Sequence, residues 1–398
     1  MNSLRILSKK KNGIVVGTLA FVGLICMPCF SGQYIFSVSG TNTYLNGQEI
    51  LLKGFRCSNS LISDSAANDL IAHLDSFELY GLNSFSVYFQ GSRYGNIGGY
   101  NQDATLNPVY SARMGKIIEA ADAKGMVVLV GCCYYGTNNA NFSNWGQQDF
   151  EHALANTVTW AKNHGYGNVF FDADNEGMAF QQKKYASTDS VVMAGKAANP
   201  TAIVAGYFGT CPAAADLAIH LSSHVATKPY AETEGDGIWS YGSGNYTASA
   251  IGVYAASDEK SAISGTFGHL TKGEGYMYSS MWLQAVPPLG PNAGFGGYGS
   301  SADPGVRWWV DTIRAKYGPY IPPAPTAVTF APLSKNGNAA FDELKIFDVR
   351  GRLLERFTFN GNTSLENIPR IKHAGSYLAL FSRDGAVVNV KRICNPAR

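Results

Sequence analysis

The sequence predicts an α/β protein: a (β/α)8 TIM barrel with an N-terminal hairpin and a small C-terminal all-β, sandwich-like domain. Three observations lead there. Strand-like and helix-like segments alternate from Leu51 to Tyr317, which implies parallel strands joined by crossover helices. Met126–Val130 is an unbroken apolar run, the mark of a strand covered on both faces. Finally, Gly167–Met178 reads as a buried strand that ends in Asp172, Asp174 and Glu176, and parallel barrels keep their chemistry at the C-terminal ends of their strands.

Taken in order, the chain opens with Arg5 and Lys9-Lys10-Lys11, followed by an apolar run from Ile14 to Cys29 and the small residues Ser31 and Gly32. A basic stretch, a short apolar core and small residues at a cleavage point describe a secretory signal peptide over residues 1–31, the run being short for a membrane span. Ile35–Val38 and Glu49–Leu52 are short strands around an Asn46-Gly47 turn, which makes a hairpin. Leu51–Arg56 is the first barrel strand and Ala66–Tyr80 the first helix, with Leu70, Ile71, Leu74 and Phe77 on one face. Leu82–Phe89 is the second strand, carrying Tyr88, and Tyr110–Lys124 is a helix that Gly125 ends. Met126–Val130, the helix Phe150–His164 and the strand of residues 167–176 follow.

The second half is leaner. Gln181–Ala198 is helical, Ala202–Tyr207 is the fifth strand, Asp216–His220 the sixth and Pro229–Glu234 the seventh. The segment between His220 and Pro229 is too short for a crossover helix, so the sixth helix is expected to be vestigial. Ala248–Leu270 supplies a helical region interrupted by Gly265, Gly275–Leu283 the eighth strand, and Arg307–Tyr317 the closing helix. The barrel thus occupies residues 32–320, a proline-rich linker residues 321–326, and a module of short strands at Leu344–Phe347, Leu353–Phe359, Ser376–Phe381 and Val387–Val390 residues 327–398.

Composition narrows the function classes. The chain is 45% apolar and 12% aromatic, enough for a large core with rings to spare. Four of its 31 basic residues lie in the leader, leaving 27 against 29 acidic ones. Eleven basic and six acidic residues lie beyond residue 323; the barrel therefore carries 16 basic against 23 acidic side chains, a poor partner for nucleic acid. Cys57, Cys132, Cys133, Cys211 and Cys394 show no metal or redox spacing. One disulfide among the first three and buried free thiols are both compatible with them.

A second acidic strand end is Lys228-Pro229-Tyr230-Ala231-Glu232-Thr233-Glu234-Gly235. By strand alternation Glu232 and Glu234 share a face. Two carboxylates on one barrel rim are what glycosidic bond hydrolysis requires, one to protonate the leaving oxygen and one to attack the anomeric carbon.

These residues resemble a family. Asn175-Glu176 after a buried strand looks like the Asn-Glu pair of the clan A retaining glycoside hydrolases, the (β/α)8 group that contains the family 5 cellulases and mannanases. Pro229 followed five positions later by Glu234, His220 at the end of Leu217-Ala218-Ile219, and Trp282 in Ser279-Ser280-Met281-Trp282 are similar to the seventh-, sixth- and eighth-strand motifs of that clan. The resemblance implies Glu176 as acid/base, Glu234 as nucleophile with Glu232 the fallback, Asn175 as partner of the sugar 2-hydroxyl, and His220 and Trp282 as sugar-site residues; His220 could also be a hydrogen-bonded core histidine. Ser86 stands where family 5 has an arginine beside the nucleophile, so Arg56 or Arg93 is expected to supply the cation. Trp145 and Trp239 fall in or after rim segments and, with Tyr88, complete the candidate substrate-binding set, whereas Trp160, Trp308 and Trp309 lie on helices and read as packing. No metal or organic cofactor is implied. The tail, with Asp348-Val349-Arg350-Gly351-Arg352 and Gly375-Ser376-Tyr377, resembles the sorting domains of type IX secretion. The expectation is a secreted or cell-surface monomer that cleaves a polysaccharide or oligosaccharide and meets the secretion machinery through its C-terminal domain. A noncatalytic glycan-binding protein on a degenerate barrel is the alternative.

Overall fold

The computed structural model describes residues 32–91, 97–134, 142–235, 252–284, 294–325, 341–348, 353–363, 375–383 and 386–395. The expected leader (residues 1–31), Arg93 and Trp239 lie outside the described residues.

Strands β1 (Phe36–Ser39), β2 (Asn42–Leu45) and β3 (Gln48–Ile50) form an antiparallel sheet ahead of the barrel. The Asn46-Gly47 turn joins β2 to β3, with both residues at positive φ (52° and 76°), as a tight hairpin turn requires. The expected hairpin thus gains a third strand. The buried Asp122 carboxylate accepts the amides of Gln33 and Tyr34 and ties this entry segment to the barrel.

Eight parallel strands follow: β4 (Lys53–Arg56), β5 (Ser84–Gly91), β6 (Val127–Tyr134), β7 (Val169–Asp174), β8 (Ala205–Gly206), β9 (Leu217–Ile219), β10 (Tyr230–Gly235) and β11 (Gly275–Tyr278). Their order is β7-β6-β5-β4-β11-β10-β9-β8, and a parallel bridge between Phe171 and Val204 brings the two ends together. The fold is a (β/α)8 TIM barrel.

The helices depart from the sequence expectation in ways that local chemistry explains. Residues 66–80 form two helices, α1 (Asp64–Ala72) and α2 (Leu74–Leu79). At the break, His73 Nδ1 hydrogen-bonds the Asp69 carbonyl, the acceptor that its own amide would use in a continuous helix. Helices α3 (Pro108–Asp122) and α4 (Gln147–His164) follow β5 and β6, and the short α5 (Met178–Gln181) and α6 (Thr188–Ala198) follow β7. Neither the β8–β9 nor the β9–β10 connection carries a helix, so the barrel lacks a fifth as well as a sixth crossover helix. Helix α7 (Ala256–Leu270) runs unbroken through Gly265. The eighth strand stops at Tyr278, because Ser280 Oγ accepts the Trp282 amide and starts the short helix α8 (Met281–Gln284). A hairpin of β12 (Gly296–Ser300) and β13 (Asp303–Gly305) then leads to α9 (Arg307–Tyr317).

Beyond the linker, β14 (Phe341–Asp348), β15 (Leu353–Thr363), β16 (Gly375–Arg383) and β17 (Ala386–Asn395) form one antiparallel sheet in the order β15-β14-β16-β17. The described residues hold this single sheet rather than the two layers of a sandwich. Cys57, Cys132, Cys133 and Cys211 are buried free thiols. Among the described residues no helix is long and apolar enough to cross a membrane.

Candidate active site

The C-terminal mouth of the barrel gathers Arg56 from β4, Tyr88 from β5, Asn175 and Glu176 after β7, His220 after β9, and Glu232 and Glu234 from β10. Their centre is Arg56, which is fully buried. Its Nη2 donates to Asn175 Oδ1 at 2.7 Å, its Nη1 lies 3.0 Å from Glu234 Oε2, and its guanidinium stands over the rings of Tyr88 and Tyr134 at 5.1 and 5.2 Å. Burial alone would disfavour the charge. Glu234, Tyr88, Tyr134 and Glu176 together outweigh it and hold the guanidinium above its ordinary value, so Arg56 is a permanent cation beside Glu234. The β4–β5 register pairs Arg56 with Ser86: the cation comes from the strand next to the expected position.

The acidic end of β7 resolves into three different jobs. Asp172 accepts from Tyr88 Oη at 2.7 Å and from the Asp174 amide. Asp174 accepts the amides of Ala179 and Phe180 at 3.0 Å and the Tyr185 hydroxyl at 2.9 Å, capping the turn that leads into α5. Burial pushes Asp172 up to about 6 and Asp174 up to about 7, against these hydrogen bonds. Glu176 lies beyond the strand with φ 55° and ψ 12°, and Gly177 follows at φ 60°. A left-handed glutamate costs about 1–3 kcal/mol and persists only where its surroundings fix it; the Asp174 cap spans this turn. Strand alternation therefore fails at Glu176: the kinked backbone, rather than the pleat, aims it over the mouth.

His220 stands between two carboxylates. Its Nε2 lies 3.3 Å from Glu176 Oε1, and its Nδ1 forms an ion pair with Glu232 Oε1. Burial would lower its proton affinity, but Glu176 and Glu232 outweigh burial and push it up to about 10, which makes it an imidazolium at neutral pH. Glu232 in turn accepts from the Glu234 amide at 2.9 Å and from Tyr230 Oη at 3.2 Å. Burial works to raise this carboxyl; the contacts to His220 and the Glu234 amide prevail and hold it below the usual range. A register shift in the β10–β11 ladder between Glu232 and Gly235 separates the two glutamates. Glu232 turns to the β9 side and His220, whereas Glu234 reaches Arg56. An oxygen of Glu176, an oxygen of Glu234 and a nitrogen of His220 all lie within 4.8 Å of one another.

The remaining expected residues fare differently. Asn175 is buried, and because Arg56 and Tyr88 face its Oδ1, its Nδ2 is left with the weak acceptor Met178 Sδ at 3.9 Å. Trp282 is half-buried on α8, and a Cβ on Gly252 or Gly296 would strike its ring at 2.6 or 2.9 Å. Trp145 is a correction. It is only 5% exposed, its indole N–H donates to the Gln102 carbonyl, and Tyr100, Phe142 and Phe150 enclose it, so it packs the wall instead of facing a sugar. Sequence reading passed over Tyr134 and gave Tyr88 no specific role. The signal for both was present, as aromatic residues at the C-terminal ends of adjacent parallel strands, but nothing local says that they flank a guanidinium.

No family model matches the chain, and no curated protein matches it. Among solved structures it is similar to a β-glucanase from Saccharophagus degradans in complex with cellotetraose, at 11% identity over 73% of this chain and 95% of that one with a TM-score of 0.46. It is also similar to the β-mannanase of the blue mussel Mytilus edulis, at 13% identity over 62% and 91% with a TM-score of 0.36. An endocellulase from Pyrococcus horikoshii in complex with cellotetraose is similar at 17% identity over 46% and 58%, with a TM-score of 0.31.

Proposed function

We propose that this protein is a retaining glycoside hydrolase that cleaves β-glycosidic bonds within a polysaccharide, a β-glucan or mannan, by double displacement. One observation carries the reading: Glu176, just beyond β7, and Glu234, on β10, bring carboxylate oxygens within 4.8 Å across the mouth. That proximity supports the roughly 5–5.5 Å spacing of retaining pairs over the roughly 6.5–9.5 Å that inverting pairs keep for a water.

Each role follows from the surroundings. Glu234, beside the permanent charge of Arg56, is the anionic nucleophile that attacks the anomeric carbon. Glu176 protonates the leaving oxygen and then, as a carboxylate, takes a proton from the water that releases the sugar. In the covalent intermediate Glu234 has lost its charge and Glu176 has gained one. Arg56 and His220 therefore face the same total charge at both stages, with the negative charge passing from the Arg56 side to the His220 side. Asn175 Nδ2, whose partner among the described residues is the Met178 thioether, is a donor for a sugar hydroxyl, and Trp282 is an apolar surface for a pyranose face. Export through residues 1–31, with the C-terminal sheet serving sorting or attachment, belongs to the same proposal.

The test is reducing-end release from a panel of β-glucans, mannans and xylans, with viscosity loss to identify internal cleavage and NMR to identify the anomer first released. Glu176→Gln is expected to lower kcat by about 10²–10⁴-fold, and Glu234→Gln by at least as much. Retention of a polysaccharide without any release of sugar would assign the chain to glycan binding instead.

A further inference from the structure

We propose that the barrel mouth is also a binding site for a divalent transition metal, with Zn2+ as the fitting ion, held by His220 Nε2 and one oxygen each of Glu176 and Glu234. Three features of the geometry lead there. First, an oxygen of Glu176, an oxygen of Glu234 and a nitrogen of His220 come from three separate strand ends yet lie within 4.8 Å of one another. Second, the Nε2–Oε1 separation of 3.3 Å between His220 and Glu176 matches the edge of a tetrahedron whose ligands stand about 2.0–2.1 Å from zinc, about 3.4 Å. The Glu234 carboxylate, 13% exposed, supplies the third ligand oxygen, within 4.8 Å of the other two ligand atoms. Third, Glu232 holds His220 by Nδ1. A carboxylate on the far nitrogen is the outer support that orients metal-binding imidazoles, and it leaves Nε2 aimed at the other two ligands.

One histidine and two carboxylates leave the fourth position of zinc open, and they suit a borderline ion better than Ca2+ or Mg2+, which demand six or more oxygens. Binding replaces the proton on Nε2, which passes to the buffer. With Glu176, Glu232 and Glu234 anionic, His220 neutral and Arg56 cationic, the net charge of −2 is neutralised by one Zn2+. The inference uses the residues of the proposed hydrolase site, and on that reading the ion excludes substrate, but metal binding itself does not depend on hydrolysis.

The neighbouring His224, His269 and Glu274 make a useful contrast. Glu274 contacts His224 Nδ1 at 3.4 Å and His269 Nδ1 at 2.7 Å through different oxygens, and the Tyr230 ring stacks against both imidazoles. Among the described residues this trio is not a group whose ligand atoms all lie within 4.8 Å of one another.

Calorimetric titration of the full chain with ZnCl2 tests the site. One ion per chain is expected, with affinity lowered at least 10-fold by His220→Asn and about 10–100-fold by Glu232→Gln, which removes only the outer support. Should either variant fail to fold, protection of His220 from diethylpyrocarbonate by Zn2+, read by mass spectrometry on the wild-type chain, carries the same information. No binding at millimolar Zn2+, binding that survives His220→Asn, loss on His224→Asn instead, or unprotected His220 would each overturn the proposal. A chain that binds Zn2+ in this way but hydrolyses no polysaccharide would uphold the metal site and refute the hydrolase reading.

Discussion

Replacing Arg56 by methionine keeps the apolar stem and removes the charge, which isolates what the guanidinium does. The side chain is fully buried and lies 3.0 Å from Glu234 and 2.7 Å from Asn175. Two unit charges at that separation attract by about 5–6 kcal/mol at an effective dielectric of about 20. Desolvation offsets part of this, and removing one member of a buried pair costs about 3–5 kcal/mol. Urea denaturation near neutral pH should therefore show Arg56→Met less stable by about that amount. The deficit should shrink toward pH 4, because protonation of Glu234 relieves the charge left behind. Activity should report the same coupling. Losing a cation at hydrogen-bonding distance should move the acid limb of the kcat/KM profile to higher pH by about 1–3 units, with Arg56→Lys recovering part of the shift. A stability deficit that does not vary with pH, together with an unmoved acid limb, would refute the reasoning and leave Arg56 as a packing residue.

Other predictions follow from the same geometry. Asp174→Asn should cost about 1–3 kcal/mol in denaturation, because an amide NH2 would face donors that a carboxylate now accepts, and it should lower kcat more than it changes KM, since Glu176 lies on the turn that this carboxylate caps. Gly177→Ala puts a Cβ 2.6 Å from Phe208 on a residue at φ 60°, so it should lower both Tm and activity. The folded-state proton affinity of His220 is raised from 6.5 to about 10; its contribution to stability is thus complete below pH 6.5 and lost as pH rises toward 10. Urea melts of the wild type across that window should fall relative to those of His220→Asn, and parallel curves would contradict the ion pairs with Glu176 and Glu232.

Much of this architecture was legible in the chain. Unbroken apolar runs such as Val127–Val130 must be covered on both faces, and alternation with helices leaves parallel strands as the way to do so. Short connections such as 221–229 leave no length for a helix whatever the tertiary context. Element ends were less legible, because they depend on single side-chain bonds. His73 takes the Asp69 carbonyl and splits a helix, and Ser280 caps α8 and cuts the eighth strand short. Trp145 shows the same weakness in the site: its loop position suggested a sugar platform, but Phe142 and Phe150 fold back on it and Tyr100, 45 residues away, closes the enclosure.

What the sequence determined by itself is the inventory and its address: a parallel barrel with Asn175-Glu176 at one strand end, and His220, Glu232 and Glu234 at others. Periodicity is a local property, and it is enough to place a residue on a strand end. Tertiary structure alone decided the division of labour. Strand order placed Arg56 beside Ser86 and within reach of Glu234, the register shift in β10 sent Glu232 to His220 and Glu234 to Arg56, and the left-handed backbone at Glu176 lifted one carboxylate out of a row of three. Charge pairing and desolvation act through space over a few ångströms, between groups separated along the chain by more than a hundred residues, as Arg56 and Glu234 are, and no local pattern encodes that distance.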